Sequence, residues 1–287
     1  VNTIIRFLNT IRALRYFNLE GEVGLNGKTF RIPVLGGSGY ANLDMSEPWM
    51  IELLKRLIPL GNRCFVDVGV NIGQTLLKLR CVEPAMDYVG IEPNAACVHY
   101  VTRLIKTNQF KGVRLLPIGI SNRTGLGELN FYGDLEVDSM ASTVEEFRGA
   151  ETRTRRAYIP LFDWKQVSAV IPAVEISILK IDVEGGEWEV IDALSEEIGR
   201  HQPIIIMEIL PTSSSENTIR WERQRRIQQR LEELSYVVYL VIKTREQFVS
   251  VQRMVEIPIH ADENRCEYVM VPRVRASVFE EAIQGRS

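Results

Sequence analysis

Apolar residues recur along this chain in two rhythms, and the first is helical. Ile4, Ile5, Leu8, Ile11, Leu14 and Phe17 fall at helical spacing with Arg6, Arg12 and Arg15 between them, which predicts an amphipathic, basic helix. Such a helix packs on its own domain or on a second subunit, as a homo-oligomer contact; docking at a membrane surface is the alternative. Residues 20–45 are rich in Gly and Asn, and the apolar run at 29–34 around Pro33 predicts a hairpin or loop. Ser46, Glu47 and Pro48 then read as a cap, an acid and a first-turn proline for a helix through Leu53, Leu54 and Leu57, closed by Pro59 and Gly61.

From residue 65 the second rhythm takes over, strand and helix in alternation. Buried strands are expected at 65–68, 88–91, 113–118, 176–182 and 203–207, with helices at 74–79, 94–106 and 216–234. The alternation implies an α/β fold on a mainly parallel sheet. Two last strands, 236–242 and 267–271, lie close enough in the chain to form an antiparallel pair at the sheet edge. The connection 122–174 is too long for an ordinary loop. It holds an extra strand at 127–132, a polar loop at 138–143, a basic cluster at Arg153, Arg155 and Arg156 and an extended run at 158–162, and it is expected to cap the site over the acceptor. The domain organisation expected is an N-terminal extension, 1–45, and one domain, 46–287.

Candidate chemistry sits where strands end. The stretch Phe65-Val66-Asp67-Val68-Gly69-Val70-Asn71-Ile72-Gly73 reads as a strand entering a tight loop before a helix. Its glycines are spaced G-x-x-x-G, not the G-x-G-x-x-G of a dinucleotide fingerprint, and an acid stands two residues before the first. An ionised Asp67 repels a pyrophosphate and suits a ligand carrying ammonium and sulfonium charge, such as S-adenosylmethionine. Glu92 closes the second strand near the ~20-residue spacing at which an acid binds a ribose diol. Asp182, Glu184, Glu187 and Glu208 fall at or just beyond later strand ends, on the same predicted edge. A carboxylate placed there can take a proton from a hydroxyl, with Asp182 first and Glu184, Glu187 and Glu208 as alternatives; a divalent cation held by some of them would instead acidify the hydroxyl.

Composition narrows the partners. With 45% hydrophobic and 25% charged residues, a net charge of −3 and a pI near 5.8, the chain is not built as a dedicated nucleic-acid binder. Cys64, Cys81, Cys97 and Cys266 form no C-x-x-C pair and read as free thiols in a reducing cytoplasm. No run approaches the ~18 apolar residues of a membrane span.

The residues at 65–73 (FVDVGVNIG), 89–94 (VGIEPN), 118–122 with Gly125, and 179–187 (LKIDVEGGE) make the chain resemble the FkbM family of S-adenosylmethionine-dependent methyltransferases, over about residues 46–271. The resemblance implies a Rossmann-like class I methyltransferase fold, a seven-stranded sheet with an antiparallel last strand, and methyl transfer to a hydroxyl of a sugar, glycan or polyketide-like acceptor. Its motifs hold the residues expected to bind the cofactor, Asp67, Gly69, Asn71, Gly73, Glu92, Asn94 and Ser121, whereas the acceptor contacts, Ser139, Ser142 and Arg153 of the capping insertion with Glu187, are expected from their place in the chain and not from the resemblance. Val70 and Phe162-Asp163 depart from the commoner alanine and Leu-Asp without removing a polar group. Two other readings compete: a nicotinamide-dependent oxidoreductase, against which the glycine spacing counts, and an inactive methyltransferase fold serving as a binding protein.

Overall fold

The computed structural model describes residues 1–133, 136–144, 152–212 and 218–285. The chain opens with α1 (Asn2–Thr10) and an antiparallel hairpin, β1 (Asn18–Leu25) and β2 (Lys28–Leu35). Asn26 and Gly27 at its tip both have positive φ, the turn that matches the twist of the flanking strands. Helix α2 (Trp49–Leu57) leads into β3 (Cys64–Val68), α3 (Gln74–Val82), β4 (Asp87–Ile91), α4 (Ala95–Asn108) and β5 (Val113–Leu116). The long connection builds β6 (Gly119–Ile120), β7 (Gly125–Phe131), β8 (Arg155–Phe162) and α5 (Trp164–Ser168). After it come β9 (Ile176–Ile181), α6 (Glu187–Ala193), α7 (Ser195–His201), β10 (Ile204–Glu208) and α8 (Thr218–Glu233). The chain then runs through β11 (Tyr236–Lys243), β12 (Phe248–Met254), β13 (Glu267–Pro272) and α9 (Ala276–Ile283). Residues 216 and 217, the expected start of α8, lie outside the described residues.

The main sheet has the order β12-β11-β13-β10-β9-β3-β4-β5, with β10, β9, β3, β4 and β5 mutually parallel. It therefore has eight strands, not the seven expected. Strand β13 lies antiparallel between β10 and β11, so the predicted pair is not the edge; β12 is. Sequence reading passed over β12 because an edge strand stays half exposed: Ser250, Gln252 and Arg253 interrupt the apolar pattern that marks buried strands. The insertion forms its own three-stranded sheet, β6-β8-β7.

Strand alternation divides the core into two layers. Phe65, Tyr88 and Ile178 face one side, where α2, α3, α4, α9 and the hairpin pack; Val66, Val68 and Leu179 face the other, toward α6, α7 and α8. Val23, Phe30, Ile32 and Val34 are buried in the first layer, and Asn108 of α4 exchanges two hydrogen bonds with the Arg31 backbone. The hairpin is thus built into the main core. Ser46 is not the helix cap: Pro48 occupies that position and the Ser46 hydroxyl is buried without a hydrogen-bond partner. Among the described residues no helix is long and apolar enough to cross a membrane.

One glycine fixes how β3 meets β9. Gly69 has φ +93°, and a Cβ there would stand 1.8 Å from the Asp182 carbonyl oxygen. Gly69→Ala combines backbone strain with a clash against main chain, so we expect a loss of about 2 kcal/mol or more in unfolding free energy, read as a lower denaturant midpoint.

Candidate active site

The carboxyl ends of β3, β4, β9 and β10 open into one cavity of about 260 Å³, closed above by the loop 138–143 of the insertion. Gly69, Asn71, Glu92, Asn94, Ser139, Asp182, Glu184 and Glu208 line it. Three non-glycine residues with left-handed backbone, Glu47, Asn71 and Glu184, share that lining. Such strain is held in place where the surrounding structure demands it.

At the β4 end, Glu92 is buried and fixed by two main-chain donors. The Asn71 amide reaches one carboxylate oxygen at 2.7 Å and the Asn94 amide the other at 2.8 Å. Each oxygen keeps a second lone pair, so the group can still accept a pair of hydroxyls. Burial pushes its pKa up to about 7 despite the two amides. Asn94 caps α4 through the Ala96 amide and holds the insertion through the Glu136 carbonyl. The Cys97 thiol donates to Asn71 Oδ1 at 3.5 Å; all four cysteines are buried and free.

At the β9 and β10 ends the charges are organised by Lys180. Asp67 and Lys180 are register partners on adjacent strands, and the Lys180 ammonium lies 2.8 Å from Asp182 and 3.9 Å from Asp67. Burial opposes the ionised form of Asp182, but Lys180 and a hydrogen bond from Glu208 outweigh it and hold the carboxyl below the usual range. Glu208 behaves oppositely: burial, with Asp182, Glu184 and Glu267 nearby, pushes it up to about 9. Two neighbouring carboxyls are thereby split into an anion and a neutral acid. Glu208 carries a proton at neutral pH, which argues against its role as an alternative base there.

Several residues expected at the site stand behind its wall. Asp67 has no exposed surface; Tyr88 donates to its Oδ2 at 2.6 Å, its Oδ1 has no hydrogen-bond partner, and burial raises it to about 6. Its strand position directs it into the core layer of Phe65, away from the cavity. Gly73, at φ 76°, forms the left-handed N-terminus of α3 and packs against Leu104. The Ser121 amide bonds Phe162, and Ser142 bridges to Asn130 within the insertion. Arg153 reaches Asn130 as well. Glu187 turns back to accept from the Gly185 amide at 2.8 Å and serves its own loop. Ser142, Arg153 and Glu187 are engaged by local partners, which sequence position alone does not reveal.

Other residues at the site went unread. Lys180, a lysine inside an otherwise apolar buried strand, was the legible signal. Lys78, fully buried in α3, pairs with Glu47 at 2.9 Å, and Gln74 one turn earlier on the same helix lines the cavity. Asp138 accepts from the Tyr132, Gly133 and Met140 amides and shapes the covering loop, whose Thr143 also lines the cavity. Asp182, Glu184 and Glu208 present ligand atoms within 4.8 Å of one another, a set able to hold a cation, as do Glu208, Cys266 and Glu267.

With the geometry in hand, comparison with known proteins gives the family. The methyltransferase FkbM domain matches residues 67–238. The methyltransferase sdnD of Sordaria araneosa is 28% identical over 161 residues, 48% of this chain and 62% of that protein, so the match spans under two thirds of the relative. Among solved structures, a methyltransferase FkbM from Methylobacillus flagellatus KT aligns over 93% of this chain and 60% of its own, with 14% identity and a TM-score of 0.45. An O-methyltransferase from Bacillus cereus in complex with SAH aligns over 80% and 84%, with 11% identity and a TM-score of 0.45. Those two likenesses are too slight to carry an argument, but the domain match covers more than half of the chain, from Asp67 of the first motif through the whole of 179–187: this protein belongs to the FkbM methyltransferase family.

Proposed function

We propose that the protein is an S-adenosylmethionine-dependent O-methyltransferase acting on a hydroxyl of a sugar, glycan or polyketide-like acceptor. The observation that carries the donor assignment is the charge of the cavity. Glu47, Glu92, Asp138, Asp182, Glu184 and Glu208 line it, and among the described residues no Lys, Arg or His does. A pyrophosphate would meet several carboxylates there, which counts against the nicotinamide reading; an ammonium and a sulfonium would meet their complement. Glu92 fits a ribose diol, Pro93, Ile120 and Leu129 supply apolar walls for a base, and Gly69 and Asn71 bring main chain to the amino-acid end.

The cofactor, when bound, supplies a methyl group activated on sulfur. The protein's part is to hold an acceptor oxygen in line and to take its proton. Asp182 is the ionised carboxylate at the strand end, and Lys180 keeps it so. Its depressed pKa makes it a modest base, suited to accept the proton as the oxygen becomes positive during transfer rather than before it. A second reading, a divalent cation on Asp182, Glu184 and Glu208, rests on their mutual approach. Against it, Lys180 already occupies Asp182 and Glu208 holds a proton.

Glu92→Ala is expected to weaken donor binding by about 1.5–3 kcal/mol, the worth of hydrogen bonds to a charged group, as read by calorimetry. Unchanged affinity removes Glu92 from the donor site. The carboxylate, not the acid, accepts both hydroxyls, so donor affinity should rise as pH climbs through about 7 and proton release should accompany binding. Glu92→Gln should flatten that dependence.

Asp182→Asn keeps the shape of the side chain and removes the proton acceptor. Turnover with a verified acceptor should fall by about 10²-fold or more while donor affinity barely changes. Near-normal turnover passes the role to Glu184. Chelator should leave the wild-type rate unchanged; abolition by chelator and restoration by a divalent cation establishes the metal reading instead.

A further inference from the structure

Helix α1 has two apolar faces, and only one of them is used. Ile5 is fully buried, Asn2 exchanges two hydrogen bonds with the Glu22 backbone, and Arg6 pairs with Asp44 at 2.6 Å; these contacts fasten one side of the helix to the hairpin and the segment that follows. On the opposite side Ile4, Phe7 and Ile11 are 60%, 62% and 53% exposed, at the i, i+3, i+7 spacing of a single stripe. Tyr16 and Phe17 extend the exposed apolar surface beyond the helix. Hydrophobic packing within the domain accounts for Ile5 and leaves this stripe unexplained.

Charge identifies what covers it. Residues 1–17 carry Arg6, Arg12 and Arg15 and no acid, in a chain whose net charge is −3. Among the described residues neither Arg12 nor Arg15 has an ion-pair partner. A second copy docked through the same helix would set these arginines against their counterparts across a two-fold axis. The exposed apolar side chains of this segment also fall short of the ~800 Å² per partner of a stable dimer. An anionic bilayer surface has neither objection: it attracts the arginines, by about 1 kcal/mol each near the surface, and receives Ile4, Phe7 and Ile11 among its acyl chains.

We infer that α1 docks the protein peripherally on an anionic membrane surface, with Phe7 and Ile11 inserted and Arg12 and Arg15 at the headgroups. Its place in the fold gives that docking a consequence. Asp44, the partner of Arg6, lines an outer chamber with Lys243, Arg245 and Asn264, and this chamber shares Ser46 and Glu47 with the carboxylate-lined cavity. The docked helix therefore stands beside the mouth of the candidate active site, where an acceptor held in the lipid surface would enter. That last step rests on the methyltransferase reading, whereas the docking does not.

The test is co-sedimentation of the full chain with vesicles of phosphatidylcholine alone and of phosphatidylcholine mixed with phosphatidylserine. We expect binding to the mixed vesicles, weakening as salt is raised, and little to the neutral ones. Phe7→Asp should reduce it at least tenfold, and Arg12→Glu with Arg15→Glu should abolish the preference for anionic lipid; both changes are at exposed positions and should leave the melting temperature unchanged. Absence of binding to anionic vesicles, or binding undiminished in Phe7→Asp, overturns the inference. So does a concentration-dependent dimer in sedimentation equilibrium that Phe7→Asp dissociates while vesicles bind neither form.

Discussion

One buried ammonium sets the electrostatics at the reactive end of this site. Lys180 projects from near the carboxyl end of β9 into an interior that also holds Asp67, with Asp182 beside it. Burial alone would neutralise all three groups. Burial lowers the lysine's pKa, but the two carboxylates outweigh it and keep it charged; the lysine in turn keeps Asp182 charged, and burial together with the Asp182 charge raises its neighbour Glu208. The arrangement resembles a chain of dependent choices more than a set of independent residues. Removing the lysine would leave a fully buried Asp67 and a crowded group of acids at the strand ends without their nearest cation, which is more costly than losing one ion pair.

A second lysine does the same from the other side. Lys78 reaches Glu47 from within α3, so the left-handed segment before α2 is tied to the helix that begins in the glycine loop. Cations behind the wall and carboxyls on it give a cavity whose lining is acidic. That is a suitable environment for a ligand with localised positive charge, and it requires no metal to be consistent. The insertion closes the cavity from above: Asp138 gathers three amides into the turn, and Asn94 binds the Glu136 carbonyl, so the cap of α4 beside Glu92 and the covering loop form one connected piece.

The parallel strands and the acids that end them were legible because buried strands are written as unbroken apolar runs, and a carboxyl at the close of such a run has few structural excuses. Glu92 and Asp182 stand out for that reason. Asp67 was misplaced, though the alternation of β3 contained the answer: it shares a face with Phe65, and Lys180 shares that face on the neighbouring strand. The insertion was harder. Ser142 in the polar loop and Arg153 in the basic cluster look like ligand contacts, yet the Ser142 hydroxyl accepts from the Val144 amide and Arg153 is used on Asn130, partners fixed by the fold of a small sheet and not by any periodic pattern. Strand β12 was missed because a half-exposed edge with polar residues reads as loop.

The central claim is that an acidic cavity at the strand ends selects a cationic nucleoside donor. Calorimetric titration of the protein with S-adenosylmethionine and, separately, with NAD at neutral pH and moderate salt tests it most directly. The account predicts saturable one-to-one binding of S-adenosylmethionine and no measurable heat of binding with NAD. Binding of NAD with equal or greater affinity would contradict it, because no arrangement of these six carboxyls favours a pyrophosphate over a sulfonium.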